Sequence, residues 1–207
     1  MRIKLVFLSY GKLTEQIKKL RPLFPDEVEF ESIDTTIDNI HEVVREVELR
    51  NEDCVLISSG ANADLIDDSE HIRLPFVRIA VTGADILESL SAAMAYSNHI
   101  GVVSYKEKLP GLDDLAVFFP GALESRTFIR TEEIDLILDE FYSLGIRDVI
   151  GGSLVGKRAV IRGLRHYSLR SEASVKLAIE NAVQLAKTNK IMATEAQRLK
   201  TILDFIK

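Results

Sequence analysis

The sequence predicts an α/β protein built as two similar three-layer lobes. Each lobe is expected to hold a parallel sheet of four to five strands, and a long C-terminal helix follows. Three observations carry this expectation. Short runs rich in Val and Ile alternate with longer helical patterns. A strand-end pattern repeats: Val55-Leu56-Ile57-Ser58-Ser59-Gly60 parallels Val149-Ile150-Gly151-Gly152-Ser153. From Ser171 to Lys207 there is neither Pro nor Gly.

Taken in order, strands are expected from Ile3 to Leu8, Val28 to Ile33, Cys54 to Ile57 and Phe76 to Val81. Four more are expected from Ile100 to Val103, Leu123 to Ile129, Asp148 to Ile150 and Tyr167 to Leu169. Near-continuous apolar runs such as Val55-Leu56-Ile57 suit strands covered on both faces, hence a parallel sheet. The intervening segments read as helices: Lys12 to Leu20, Thr36 to Leu49, Asp85 to Tyr96, Gly111 to Phe118, Glu132 to Leu144 and Lys157 to Leu164. Strand–helix alternation of this kind calls for right-handed crossovers. Eight strands make one sheet or two, and the repeat favours two. The first lobe is expected to take residues 1–82 with 172–207, and the second 83–171. No linker marks the boundary, so the lobes are expected to cross over through helices.

The chain has 207 residues, one Cys, no Trp and a net charge of −6. Hydrophobic residues make up 46%, enough for a buried core and too many for a disordered chain. The acidic balance argues against general attraction to nucleic acid. A single Cys rules out a disulfide framework and a Cys-based zinc site, and it fits a reducing, cytoplasmic setting. No apolar stretch approaches the ~20 residues of a membrane span.

In parallel sheets, ligands bind beyond the carboxyl ends of strands, where helix N-termini point. Such ends carry small polar clusters here: Ser9-Tyr10-Gly11, Ser58-Ser59-Gly60-Ala61-Asn62, Thr82-Gly83-Ala84-Asp85, Gly151-Gly152-Ser153 and Arg170-Ser171-Glu172. Gly lets a ligand approach the backbone closely. Ser, Thr and Asp are also ordinary N-caps, so each cluster has a purely structural explanation as well.

Several motifs lead away from enzymatic chemistry. Gly151 to Arg158 nearly matches a phosphate-binding P-loop, but Arg158 stands where Ser or Thr must hold magnesium. No G-x-G-x-x-G follows a strand. His41, His71, His99 and His166 form no metal spacing. Cys54 begins a strand, opposite the ligand-binding end, which argues against a two-thiol racemase. No cofactor, metal or catalytic residue is expected.

A single helix from Ser171 to Lys207 would be roughly 55 Å long. Ala178, Ala182, Leu185, Asn189, Met192, Ala196, Leu199, Leu203 and Ile206 follow at alternating steps of four and three, a heptad seam. Its first half is expected to pack on the lobes. Its second half is expected either to pair with a second copy or to fold back on the core. The apolar ending at Phe205-Ile206-Lys207 suggests a domain cut from a longer chain.

Read together, Val55 to Ala63, Leu74 to Ile79, Thr82 to Leu87, Ile100 to Val103, Val149 to Gly152 and Ser171 to Val175 resemble a known family. It is the N-terminal receptor domain of the propionate catabolism activator (PrpR) family of sigma-54-dependent transcriptional regulators. The resemblance implies two α/β lobes of periplasmic-binding or chelatase-like form with a cleft between them. It implies a sensor for a small-molecule effector, a carboxylate, that controls attached ATPase and DNA-binding modules. For the family's named member, that effector is a methylcitrate-type tricarboxylate. Carried onto this chain, the ligand-binding residues would be Ser58, Ser59, Gly60, Ala61 and Asn62 in the first lobe. Thr82, Gly83 and Asp85 follow at the hinge, Gly152 and Ser153 in the second lobe, and Arg170 and Ser171 at the closing loop. Ala61, Asn62 and Ala84 depart from the family's usual residues. Arg170 is the best-placed cation for a carboxylate, and Lys106 comes next.

Three readings follow. The first is an effector sensor that acts as a homodimer through its C-terminal helix, with no membrane or nucleic acid touched by this segment. The second is a small-molecule enzyme of racemase or lyase type, for which Asp85 and Glu172 are the available carboxylates. The third is a dimerisation module with an empty cleft.

Overall fold

The computed structural model describes residues 2–50, 52–119 and 121–206, except for the side chains of residues 203, 205 and 206. Eight strands form two parallel four-stranded sheets among these residues. The first sheet contains β1 (Ile3–Ser9), β2 (Val28–Asp34), β3 (Cys54–Ser59) and β4 (Phe76–Ile79). The second contains β5 (His99–Tyr105), β6 (Ala122–Phe128), β7 (Asp148–Gly151) and β8 (Arg165–Ser168). Their spatial orders, β2-β1-β3-β4 and β6-β5-β7-β8, are the same topology written twice. Val6 pairs with Glu31 and Leu56, as Val102 pairs with Ser125 and Ile150.

Helices cover both faces of each sheet, which is why the central strands carry no polar face. Helices α1 (Lys12–Leu20) and α8 (Glu172–Ile206) cover one face of the first sheet, and α2 (Ile40–Leu49) and α3 (Gly60–Asp67) cover the other. On the second sheet, α4 (Gly83–Met94) and α5 (Leu112–Ala116) lie opposite α6 (Thr131–Ser143) and α7 (Ser153–Ile161). Phe7, Leu5, Leu56, Ile57 and Phe141 are fully buried. Each such side chain stabilises the fold by about 1.5–3 kcal/mol. Gly101 in β5 exists for this packing: the Phe141 ring lies where a β-carbon would stand.

The chain passes between the sheets twice, through residues 80–82 into α4 and through residues 169–171 into α8. Helix α4 packs on β5, β7 and β8, whereas α8 returns to β1, β3, β4 and α1. Val175, Ala178, Ile179, Ala182 and Ala186 form its buried stripe, where Ala lets the helix approach closely. Residues 191–202 are exposed, including the seam positions Met192, Ala196 and Leu199. The side chains of Leu203 and Ile206, the last two seam positions, lie outside the described ones, as does Lys207.

Element edges differ from expectation in instructive places. Helix α2 begins at Ile40 rather than Thr36, because Asn39 Oδ1 accepts from the Thr36 N–H (2.9 Å) and closes a turn first. Helix α7 begins at Ser153 rather than Lys157, and β4 stops at Ile79 rather than Val81. The first strands run further, to Ser9 and Ser59, and α3 starts directly at Gly60. In the P-loop-like segment, Arg158 Nη1 donates to Asp135 (2.8 Å) and Lys157 Nζ to the Tyr10 hydroxyl (2.5 Å).

Candidate functional site

The carboxyl ends of the two sheets enclose a cavity of about 650 Å³. That size lies within the usual range for small-molecule sites. The first sheet contributes the end of β1 (Ser9, Tyr10), the turn at 35–37, the start of α3 and residues 78–81 in and after β4. The second contributes residues 103–110 at the end of β5 and after it, Phe128 of β6 and the start of α7. Leu169 and Arg170 enter from the crossing segment.

Arg170 dominates the chemistry. Its side chain reaches between the starts of α3 and α7: an ideal β-carbon would lie 2.6 Å from Nη2 at Gly60 and 4.0 Å from Nη1 at Gly152. Only 8% of the residue is exposed. Its Nε is buried with no hydrogen-bond partner, and no carboxylate oxygen lies within 4.0 Å of the guanidinium among the described residues. Burial pulls the guanidinium down to about 10, against the field of Asp85 and Asp64, so it remains charged at neutral pH. The backbone is anchored instead, by Gln16 Nε2 donating to the Arg170 carbonyl (3.1 Å). A buried, unpaired cation is costly unless something completes it.

Gly60 has φ +55°, a left-handed conformation at the first residue of α3, and the guanidinium lies directly beside it. Of the residues singled out from sequence, Ser59, Gly60, Ala61, Asn62, Gly152, Ser153 and Arg170 line this one cavity. Asn62 is partly committed: its Nδ2 donates to the Thr35 carbonyl (2.8 Å).

The other five lie elsewhere. Ser58 is buried in β3, and its hydroxyl donates to the Leu8 carbonyl (2.7 Å). Thr82 and Gly83 are exposed at the start of α4. Asp85 is buried in a hinge network, where Oδ2 accepts from the Thr82 N–H and hydroxyl (both 2.7 Å). Its Oδ1 accepts from the Ser171 N–H (2.8 Å), and the Ser174 hydroxyl sits 2.8–2.9 Å from both oxygens. Burial opposes its charged form, but the hydrogen bonds from Ser171 and Thr82 outweigh this and hold the carboxyl down to about 2. Asp85 therefore fastens the start of α4 to the start of α8. Ser171 borders a second hollow of about 500 Å³ with Gln16, Glu88 and Glu172.

Residues not singled out also line the cavity, among them Arg78, Asp64, Asp68 and Tyr105. Arg78 is the legible omission, a charge inside the apolar run Phe76-Val77-Arg78-Ile79. Its guanidinium pairs with Asp64 (2.5 Å) and Asp67. Lys106, the second expected cation, has φ +55° and pairs with Asp68 across the cavity (2.7 Å). Thr131 donates to Asp38 (3.3 Å) and Lys157 to the Tyr10 hydroxyl, and with the Lys106–Asp68 pair these side-chain links join the two halves away from the hinge. No group of three or more His, Cys, Asp or Glu is arranged to hold a metal among the described residues. Among the described residues, no helix is long and apolar enough to cross a membrane.

A family model described as Propionate catabolism activator matches residues 24–191. Among solved structures, an NtrC family transcriptional regulator from Clostridium acetobutylicum is similar with a TM-score of 0.73. Identity is 22%, over 91% of this chain and 99% of that one, which supports the fold. A conserved domain protein from Vibrio cholerae is 11% identical over 85% of this chain and 77% of its own, with a TM-score of 0.49. An aspartate racemase homologue from Pyrococcus horikoshii is 12% identical over 90% and 100%, with a TM-score of 0.36.

Proposed function

The chain belongs to the propionate catabolism activator family, a regulatory sensor domain of transcription regulators, and from that premise we propose that it senses a small organic acid held in the cavity between its sheets. The single observation that carries this reading is Arg170: a buried guanidinium with no carboxylate partner, aimed between two helix starts. An arriving carboxylate would complete it with charge-assisted hydrogen bonds and meet the orphan N–H groups of α3 and α7. Ser59, Gly60, Ala61, Asn62, Gly152 and Ser153 form the surrounding wall. Ser58, Thr82, Gly83, Asp85 and Ser171 act behind it, in the strand and the hinge.

The lobes in this reading are residues 1–82 with 172–207, and residues 83–171. The packing of α8 on the first sheet and of α4 on the second supports that division. Occupancy would favour the closed arrangement of the lobes and so shift α8, whose first turn is tied to Asp85. The recipients are the ATPase and DNA-binding modules of regulators of this kind. The exposed Ile191, Met192, Leu199 and Ile202 support pairing of α8 with a second copy. The chain acts in the cytoplasm and binds without turnover: Asp85 is consumed by the hinge and Glu172 is exposed outside the cavity.

A thermal-shift series with small organic acids near millimolar concentration tests the reading. A ligand at a hundred times its Kd adds about 2.7 kcal/mol, a rise of several degrees. No shift with any acid overturns it.

A further inference from the structure

Resting on the sensor reading above, we propose that the effector carries a single carboxylate on an apolar body, and that it is not a tricarboxylate. The pairing of the cavity's charges points there. Arg78, Lys106, Lys108 and Arg170 line the cavity. Arg78 is held by Asp64 and Asp67, Lys106 by Asp68, and Lys108 by Asp113. Among the described residues, Arg170 is the one lining cation without a carboxylate partner.

The nearest glycines to its guanidinium, Gly60 and Gly152, are the first residue of α3 and the N-cap of α7. The positive potential of both helix starts is thus gathered at one point rather than spread along the cavity. A second or third carboxylate would lie beside cations already neutralised and beside Asp64, Asp68 and Glu107, which also line the space. It would lose its water without a partner. The rest of the wall combines the hydroxyl groups of Thr36, Ser59 and Ser153 with partly exposed apolar and aromatic faces from Tyr10, Ile37, Val81, Tyr105, Leu109 and Leu154. The apolar faces suit a hydrocarbon body, and the hydroxyl groups supply no second cation for a further carboxylate.

The test is isothermal titration of the full chain against a panel of monocarboxylates with linear, branched and aromatic bodies. Citrate, tricarballylate and the amide of the best monocarboxylate complete the panel. At least one monocarboxylate should bind tenfold or more tightly than either tricarboxylate, and its amide should lose roughly ten- to a hundredfold. Arg170→Met should lose a similar factor while melting cooperatively. Gly60→Ala, which crowds the guanidinium from the other side, gives a second route to the same loss. Tighter binding of citrate or tricarballylate overturns the inference and leaves the sensor reading standing. Equal binding of the amide also overturns it. If no acid in the panel binds, the sensor reading fails and this inference fails with it.

Discussion

Arg170 fills the space that a side chain at Gly60 would need: a β-carbon on residue 60 would lie 2.6 Å from Nη2. Gly60 also sits at φ +55°, so backbone and neighbour both demand glycine there. Gly60→Ala should cost about 1–2 kcal/mol of stability from the backbone and push the guanidinium out of place. Acid binding should fall at least about tenfold. Gly152→Ala is the matched comparison. Its backbone is ordinary, so stability should change little, but its new methyl would stand 4.0 Å from Nη1, in the space the acid needs, so binding should still fall. Chemical denaturation and titration of the two variants separate these outcomes.

The same guanidinium is held charged and unpartnered without ligand. Arg170→Met should therefore leave the ligand-free chain as stable as before or more stable by about 1 kcal/mol. Acid-dependent stabilisation should vanish. Urea unfolding with and without the acid measures both effects.

Asp85 joins the two crossing segments, and Asp85→Asn should destabilise the fold by about 1.5–3 kcal/mol. The folded carboxyl sits at about 2, below its ordinary value of 3.8. Its contribution is therefore complete above about pH 4 and is lost as the pH falls toward 2. Stability profiles between those values should be steep for the natural chain and flatter for the variant.

Gly101→Ala should cost more than about 2 kcal/mol, because the Phe141 ring occupies the place of the new methyl. Phe141→Leu in the same chain should recover part of that loss. A double-mutant cycle on thermal midpoints reads the coupling.

The exposed stretch of α8 beyond Lys190 should govern self-association. A chain ending at Lys190 keeps the buried stripe from Val175 to Ala186, so it should fold and melt normally. Light scattering should show dimers for the full chain and monomers for the shortened one. Leu199→Asp should act in the same direction.

Much of this architecture is legible in the residues, because parallel strands covered on both faces write themselves as runs such as Val55-Leu56-Ile57. The repeat from Val55 to Gly60 and from Val149 to Ser153 reflects β3 and β7, which hold the same place in two sheets of identical order. Gly60 and Arg170 both stand out as strand-end residues. What cannot be read locally is pairing. Arg78 and Lys106 look as available as Arg170 in sequence, yet Asp64, Asp67 and Asp68 neutralise them through tertiary contacts. Alternation along β3 sends the Ser58 hydroxyl to Leu8 while Ser59 meets the cavity. Asp85 reads as a strand-end acid near the cleft, but three donor residues from two crossing segments claim it.

The central claim is that Arg170 awaits a carboxylate. A crystal structure of the chain with the tightest-binding acid tests it most directly. The account predicts carboxylate oxygens about 2.7–2.9 Å from Arg170 Nη1 and Nη2, between Gly60 and Gly152. An acid bound elsewhere, with the guanidinium still unpartnered, would contradict it.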